Sequence, residues 1–294
     1  MIRQAPPISP AAHAQLRKQR MPVFDPYLKF YSAQAPQVLG PSQYTLGWIY
    51  EVYAPPGSNQ GGGIETWHHI GGLRGFNAEM RYIPALELGI VTLGNASPGA
   101  HQAGTVLVWE VINDLMGVER ANRFDWKKEN LVREEMGAKD MLAKQESLFG
   151  GLGVKGGPMA VGWEKYEGIF EHPAYARMTV SVAQRSGKEG REPCLLVTPS
   201  ARTWNFLVRL THVHEEIFMA DIIETNPVSE ANVDAGLRQV QERTRALFKI
   251  GQNGHVRSLG LELEPALAAK ASEGRMNDWN AIEKGMIWFE RVSE

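Results

Sequence analysis

Residues 122–159 divide the chain into two stretches that cannot share one continuous core. The segment 125–147 is dense in Lys, Arg, Glu and Asp and reads as a helix, and "GGLGVKGGP" at 150–158 follows as a flexible join. Neither kind of segment adds much apolar surface to a packed interior, so each flank must bury its own. The expected organisation is therefore an ordered part at 1–121, a charged helical and Gly-rich connector at 122–159, and a second ordered domain at 160–294.

The first flank alternates. Tyr44, Leu46, Trp48, Tyr50 and Val52 fall on one face at a spacing of two, the mark of a strand. Pro55, Pro56 and the glycines at 61–63 cannot continue a ladder and read as a long turn. Three more strand-like pieces follow, 64–70, 76–83 and 88–95, the last two joined by the short turn 84–87, which together make an antiparallel meander. At 101–116 the period changes: Val108, Val111, Ile112 and Leu115 lie at i, i+3, i+4 and i+7, a helix that Gly117 can stop. Such a helix packs across the sheet and buries that stripe.

The second flank offers about eight strand candidates with turns between them, the spacing of a sandwich or barrel. Met178, Val180 and Val182 alternate with Arg177, Thr179 and Ser181, the residues 251–254 make a turn, and 286–292 form a closing strand. An eight-stranded meander that closes on itself removes its exposed edges. The fold class is α+β: a partial antiparallel sheet with a packed helix, then an eight-stranded β-barrel.

A formal net charge of −2 gives no electrostatic footprint for nucleic acid or an anionic membrane surface. No apolar run approaches the roughly 20 residues of a membrane span, and the proline-interrupted first 22 residues lack the apolar core of a secretory signal. The single cysteine, Cys194, allows neither an internal disulfide nor a thiolate metal cluster. A cytoplasmic protein without metal or organic cofactor is expected.

Four motifs could carry chemistry. The residues 151–156, "GLGVKG", match G-x-G-x-x-G formally, but a dinucleotide fingerprint needs a strand before it and a helix after it, so the linker reading is preferred. His212 and His214 share one face of a strand with Glu216 and could approach a metal, although a third ligand is not announced and hydrogen-bonded histidines are the plainer reading. Cys194 sits in an apolar strand with no charged neighbour in sequence to lower its pKa, and reads as structural. The fourth is "WHHIGGLRGF" at 67–76. Here Trp67 and His69 share one face and His68 and Ile70 the other, while Gly71 and Gly72 let a ligand or another backbone lie close. Gly75 allows a tight reversal. The plain alternative is a glycine hairpin with an incidental histidine pair.

His69-Ile70-Gly71-Gly72 followed by Gly75-Phe76, with "YTLGW" before and "YIPALELGIVTLGNA" after, resembles the third motif region of the serine β-lactamase / penicillin-binding-protein-like family, in its class C and D-aminopeptidase/esterase branch. Order and spacing agree across 40–117, and "YEGIFEHPAYARMTVSV", "LTHVHEEIF" and "WFERV" resemble pieces of the lipocalin-like barrel that often follows. The resemblance implies a transpeptidase-like sheet in which 1–121 is the C-terminal part of the catalytic domain. It implies that His69 takes the catalytic place of the family's Lys or His, positioning protons and stabilising negative charge. It also implies that the strand through Ile70, Gly71 and Gly72 binds an acyl substrate by backbone hydrogen bonds. Ile70 departs from the Thr or Ser usual at its position, which weakens the case for recognition of a substrate carboxylate.

The family's nucleophile motif is missing. No serine has lysine three positions on, and no tyrosine or serine has asparagine two positions on. The chain is therefore expected to be truncated, or to have lost its catalytic half. Three functions follow. One is a hydrolase or acyltransferase of small esters, amides or thioesters, in a natural-product pathway, whose nucleophile lies elsewhere. The second is a non-catalytic protein that binds a small ligand or a partner, with the aromatic remnant of Tyr44, Trp48, Tyr50, Trp67 and Phe76 favouring a homo-oligomer or a completing chain. The third is acid–base chemistry by His69 with Glu65, Glu79 or Arg81.

Overall fold

The computed structural model of the chain describes residues 7–23, 39–40, 42–55, 63–73, 75–96, 99–149, 157–187, 190–200, 206–224, 233–234, 240–271 and 283–292. The chain forms two compact units, Met1–Gly137 and Ala138–Glu294. The Gly-rich 151–156 motif lies outside the described residues.

The first unit opens with helix α1 (Pro10–Arg17), capped by the Ser9 hydroxyl, which accepts from Ala12 N. Six strands follow in one antiparallel sheet: β1 (Met21–Pro22), β2 (Gln43–Tyr44), β3 (Ile49–Tyr53), β4 (Ile64–Leu73), β5 (Phe76–Ile83) and β6 (Leu88–Gly94), in spatial order 1 to 6. The three later strands of the meander are present as read, but the single strand read over 44–52 is not. A tight turn, with Thr45 N donating to the Trp48 carbonyl and Gly47 at φ 79°, folds it into β2 and β3. β4 runs straight through its glycines to Leu73. Gly75, at φ 74°, then supplies the left-handed residue of the tight β4–β5 reversal. Helix α2 (Gly99–Leu115) packs on one face of the sheet, where Val108, Trp109 and Ile112 meet Tyr53, Ile83 and Trp126. The buried stripe is not the one the spacing alone selects. Val108 and Ile112 are inside, but Val111 and Leu115 are exposed, because the inward face is turned toward Trp109 and Asn113, which are buried beside them. Helix α3 (Trp126–Phe149) is the charged segment and contributes to both units.

In the second unit eight strands close a barrel: β7 (Gly168–His172), β8 (Ala176–Gly187), β9 (Gly190–Pro199), β10 (Phe206–His214), β11 (Ile217–Glu224), β12 (Val240–Ile250), β13 (Val256–Leu261) and β14 (Ile287–Arg291). All pairs are antiparallel and β14 pairs with β7, so no edge remains. A short helix, α4 (Pro265–Ala271), lies between β13 and β14. Alternation decides what points inward: Met178 and Val180 are fully buried, and Phe170, Phe218, Phe248, Phe289 and Tyr166 fill the interior. The barrel is a packed core. No helix among the described residues is long and apolar enough to cross a membrane.

Candidate functional site

Strand pairing shapes the region around His69. β3 accompanies β4 only as far as Ile49 opposite His68, whereas β5 follows it to Leu73 opposite Phe76. Residues 69–73 therefore have a strand on one side only, among the described residues. With two residues in the β4–β5 turn, Leu73 and Phe76 form the closing hydrogen-bonded pair, and the alternation then sends the backbone groups of odd positions toward β5. Ile70 and Gly72 consequently point their N–H and C=O outward, along the open edge.

His69 folds onto this edge. Its Nδ1 lies 2.6 Å from the Ile70 carbonyl oxygen, and its Nε2 lies 3.4 Å from the Tyr44 hydroxyl, whose ring meets it edge-on at 6.1 Å. A carbonyl only accepts, so Nδ1 carries the proton, and in the neutral form of the ring Nε2 is then the acceptor for the Tyr44 hydroxyl. That is a base with a fixed tautomer beside a phenol able to relay a proton. Ile70 projects its side chain to solvent on the opposite face. Gly71 and Gly72 lie in the floor of a groove of about 730 Å³, with Ala78 beside them and Leu73, Phe76 and Leu93 around it. A Cβ at Gly71 would meet only the Ala78 methyl at 4.0 Å, so the absent side chain leaves open space above the strand.

The neighbouring histidine does something different. His68 faces the helix-covered side, where Glu51, Thr66, Glu79 and Arg81 gather with it. His68 Nε2 is 3.1 Å from Glu51 Oε2. Arg81 donates to Thr66 Oγ1 at 2.9 Å, to Glu79 Oε1 at 3.3 Å and to Glu51 Oε2 at 3.5 Å, and stacks 4.4 Å over the Trp109 ring. The Ser42 hydroxyl donates to Glu51 Oε1 at 2.9 Å. Burial alone pushes the Glu51 carboxyl up, but the charge and hydrogen bond of His68, the Arg81 guanidinium and the Ser42 hydroxyl outweigh it and hold the pKa at about 2. This cluster was not singled out from the sequence. Its signal is strand parity: Glu51 stands opposite Thr66 and His68 opposite Arg81.

The structure brings His69, Ile70, Gly71 and Gly72 together on one open edge, with Tyr44 as the added partner. Glu79 and Arg81 face the other side of the sheet from His69, and Glu65 accepts from the Tyr50 hydroxyl at 2.9 Å. In the barrel unit the candidate metal residues are otherwise engaged. His214 Nδ1 accepts from Gly157 N at 2.7 Å, His212 Nε2 lies 2.9 Å from the Glu215 carbonyl, and Glu216 accepts from Ala160 N and from Tyr166. No group of three metal-ligating side chains gathers among the described residues. Cys194 is buried, and burial raises its pKa, as an inert structural thiol requires.

No known family's sequence profile matches the chain. It is 28% identical over 279 residues to the unguisins hydrolase ungD′ of Aspergillus campestris, an alignment covering 91% of this chain and 43% of that protein. It is 33% identical over 88 residues to the unguisins hydrolase ungD of Aspergillus violaceofuscus, covering 30% of this chain and 14% of that one. The chain thus spans less than half the length of these relatives. Among solved structures it aligns with an octameric penicillin-binding protein homologue from Pyrococcus abyssi at 14% identity and a TM-score of 0.29, over 88% of this chain and 41% of the other.

Proposed function

We propose that this chain is the substrate-side and barrel portion of a serine hydrolase or acyltransferase of the β-lactamase / penicillin-binding-protein-like family. Residues 1–121 would be the C-terminal part of its catalytic domain and 160–294 its lipocalin-like domain. The observation that carries this reading is the open edge at 69–73, with His69 held in one tautomer against Tyr44 at its start and two glycines behind it. An ester, amide or thioester lying along that edge would pair with the Ile70 N–H and the backbone of Gly72, the Ile70 carbonyl being held by His69 Nδ1. His69 and Tyr44 would then move the proton that an attacking serine loses and the leaving group gains. The serine comes from chain not present in this sequence. Two relatives named as unguisins hydrolases, aligned over 91% and 30% of the chain, support hydrolysis as the reaction.

The test is to map the 5′ end of the transcript and to assay its product on chromogenic esters and amides. The expected result is an in-frame Ser-x-x-Lys upstream and hydrolysis that is lost on His69→Ala. A message that begins at Met1, with a product that turns over neither substrate class, overturns the reading. The filled barrel interior gives no support to a ligand site there.

A further inference from the structure

The histidine pair of the barrel unit has a use that the hydrolase reading does not touch. Residues 157–163 form a strap over the β10–β11 end of the barrel. Met159, Val161 and Trp163 of the strap pack against the barrel core, and the Trp163 ring meets His212 and Phe218 edge-on at 6.4 and 6.1 Å. Two anchors fasten the strap to the β10–β11 turn. At the first, Gly157 N donates to His214 Nδ1 at 2.7 Å, and Glu215 N donates to the Gly157 carbonyl at 2.9 Å. A Cβ at Gly157 would stand 3.0 Å from Glu215 Cγ, so the strap comes closer there than most side chains allow. At the second, Ala160 N donates to Glu216 Oε1 at 2.8 Å, and the other oxygen of that carboxylate accepts from the Tyr166 hydroxyl. Glu215, at φ 46°, is the left-handed residue of the turn between the two anchoring side chains.

The anchors differ in how they meet acid. A glutamate ordinarily takes up its proton near about pH 4.3 and a histidine near about pH 6.5. His214 accepts from Gly157 only while Nδ1 is bare, with the ring hydrogen on Nε2. The imidazolium carries a donor on both nitrogens, so its Nδ1–H and the Gly157 N–H would face each other with nothing between them to accept. The strap cannot adjust with a charge of its own, because 157–162 is Gly-Pro-Met-Ala-Val-Gly. The titratable groups around the ring, among the described residues, are Glu215, Glu216, His212 and Tyr166. Glu215 Oε1 is 3.7 Å from His214 Nε2 and holds a charged ring where it is, so the strap is the part that must move. His212 Nε2 donates to the Glu215 carbonyl, a bond that protonation of His212 leaves intact. Tyr166, its pKa raised by burial and by Glu216, keeps its proton and its bond throughout.

We propose that His214 is an acid-released latch: its protonation frees Gly157 and the strap as far as Ala160, where Glu216 still holds. Residues 157–159 then add to the Gly-rich connector before them and lengthen its reach by about 10 Å, at roughly 3.3–3.6 Å for each extended residue. The device acts on the barrel end and is independent of whether the other unit belongs to a hydrolase.

The experiment is amide hydrogen exchange of the full chain, read residue by residue by NMR at pH 7.5 and pH 5.5 and corrected for the intrinsic exchange rate. In the wild type the protection of Gly157 should fall at least fivefold on going to pH 5.5, while that of Ala160 changes less than twofold. His214→Asn places an amide oxygen where Nδ1 stands and accepts at either pH, so Gly157 should stay protected in it at both. The ring nitrogens give a second reading that needs no variant: at pH 7.5 the His214 hydrogen should be on Nε2. Wild-type Gly157 protection that does not change, an equal fall in His214→Asn, an equal fall at Ala160, or a hydrogen on Nδ1 at pH 7.5 overturns the proposal.

Discussion

His68 Nε2 stands 3.1 Å from Glu51 Oε2 beneath α2, while the next residue, His69, turns to the open edge and meets Tyr44. One strand thus feeds a buried ion cluster from one residue and a half-exposed His–Tyr pair from the next, because successive side chains point to opposite faces. The buried half should announce itself in acid. Glu51 has a pKa of about 2 in the folded chain against 4.5 for a free glutamate, so the folded state binds its proton less readily than the unfolded one. Its contribution, on the order of 3 kcal/mol, is complete above about pH 4.5 and is lost as the pH falls toward 2. Denaturant titrations between pH 7 and pH 3 should show this loss in the wild type. In Glu51→Gln the same acid-dependent slope should be shallower, starting from a lower stability at neutral pH.

The exposed half predicts a different signature. His69→Ala removes a half-exposed ring that touches Tyr44 and the Ile70 carbonyl. Its effect on the unfolding midpoint should be within about 0.5 kcal/mol, the usual range at a surface position. In the transcript product, kcat/KM on an ester should fall by roughly 10²- to 10⁴-fold, the contribution of a positioned acid–base group. Tyr44→Phe keeps the ring and loses the hydroxyl, so a smaller fall with a displaced pH optimum is expected. A large stability loss on His69→Ala would mark the residue as structural instead.

Much of this architecture can be read directly from residue order. The period-two runs locate β4 to β6, and Gly75 marks the reversal after β4, whereas the run at 44–52 hides the turn at Gly47 that divides β2 from β3. Met178 and Val180 are inward in the barrel as their alternation requires. What escapes is what depends on register and on packing. The helix stripe is turned toward Trp109, which packs against Tyr53 with ring centroids 4.3 Å apart. The Glu51–His68–Arg81 cluster needs three strands in known register before it exists. Tyr44 reaches His69 from 25 residues away because β3 stops short, and that depends on where one strand ends relative to another.

The far edge of the same sheet is β6, with Val91 and Leu93 65% and 79% exposed. Register with β5 turns the backbone groups of Gly89, Val91 and Leu93 outward, with no strand partner among the described residues. The strand Leu88–Gly94 holds no charge and no proline, the devices that usually blunt an edge. Antiparallel pairing of two copies about Val91 would set Leu93 opposite Gly89 of the other copy, a large side chain against none. The chain should therefore self-associate with rising concentration in sedimentation velocity. Val91→Lys should weaken that association at least tenfold and leave the far-UV circular dichroism unchanged. A wild-type chain that stays monomeric at 100 µM, on the order of ten times a typical working concentration, would show that the edge is covered.

The barrel unit carries its own buried charge, and it predicts where that unit is most easily broken. Asp221, on β11, lies between Arg209 on β10 and Arg243 on β12. Its Oδ1 accepts from Arg243 Nε at 2.6 Å, and its Oδ2 from Arg209 Nη2 at 2.7 Å and Arg243 Nη2 at 3.0 Å. All three are on the outer barrel face, since their neighbours Val208, Leu210 and Ala220 point into the core. Residues of α3 cover them: Gln145 Oε1 accepts from Arg243 Nη1 at 2.8 Å, and Met141 packs beside Cys194 and Leu196. Asp221→Ala removes the buried carboxylate that both Arg209 and Arg243 hydrogen-bond, and breaking such a buried ion pair costs about 3–5 kcal/mol. Asp221→Asn keeps the shape and two acceptor lone pairs, and should cost less. Both should lower the unfolding transition reported by Trp163 and Trp288. Replacing Asp221, Arg209 and Arg243 together with apolar residues of similar volume should recover much of that loss, because the desolvation of all three charges is then removed at once. If Asp221→Ala were as stable as the wild type, solvent would have to reach the guanidinium groups, and the seal made by α3 would be open.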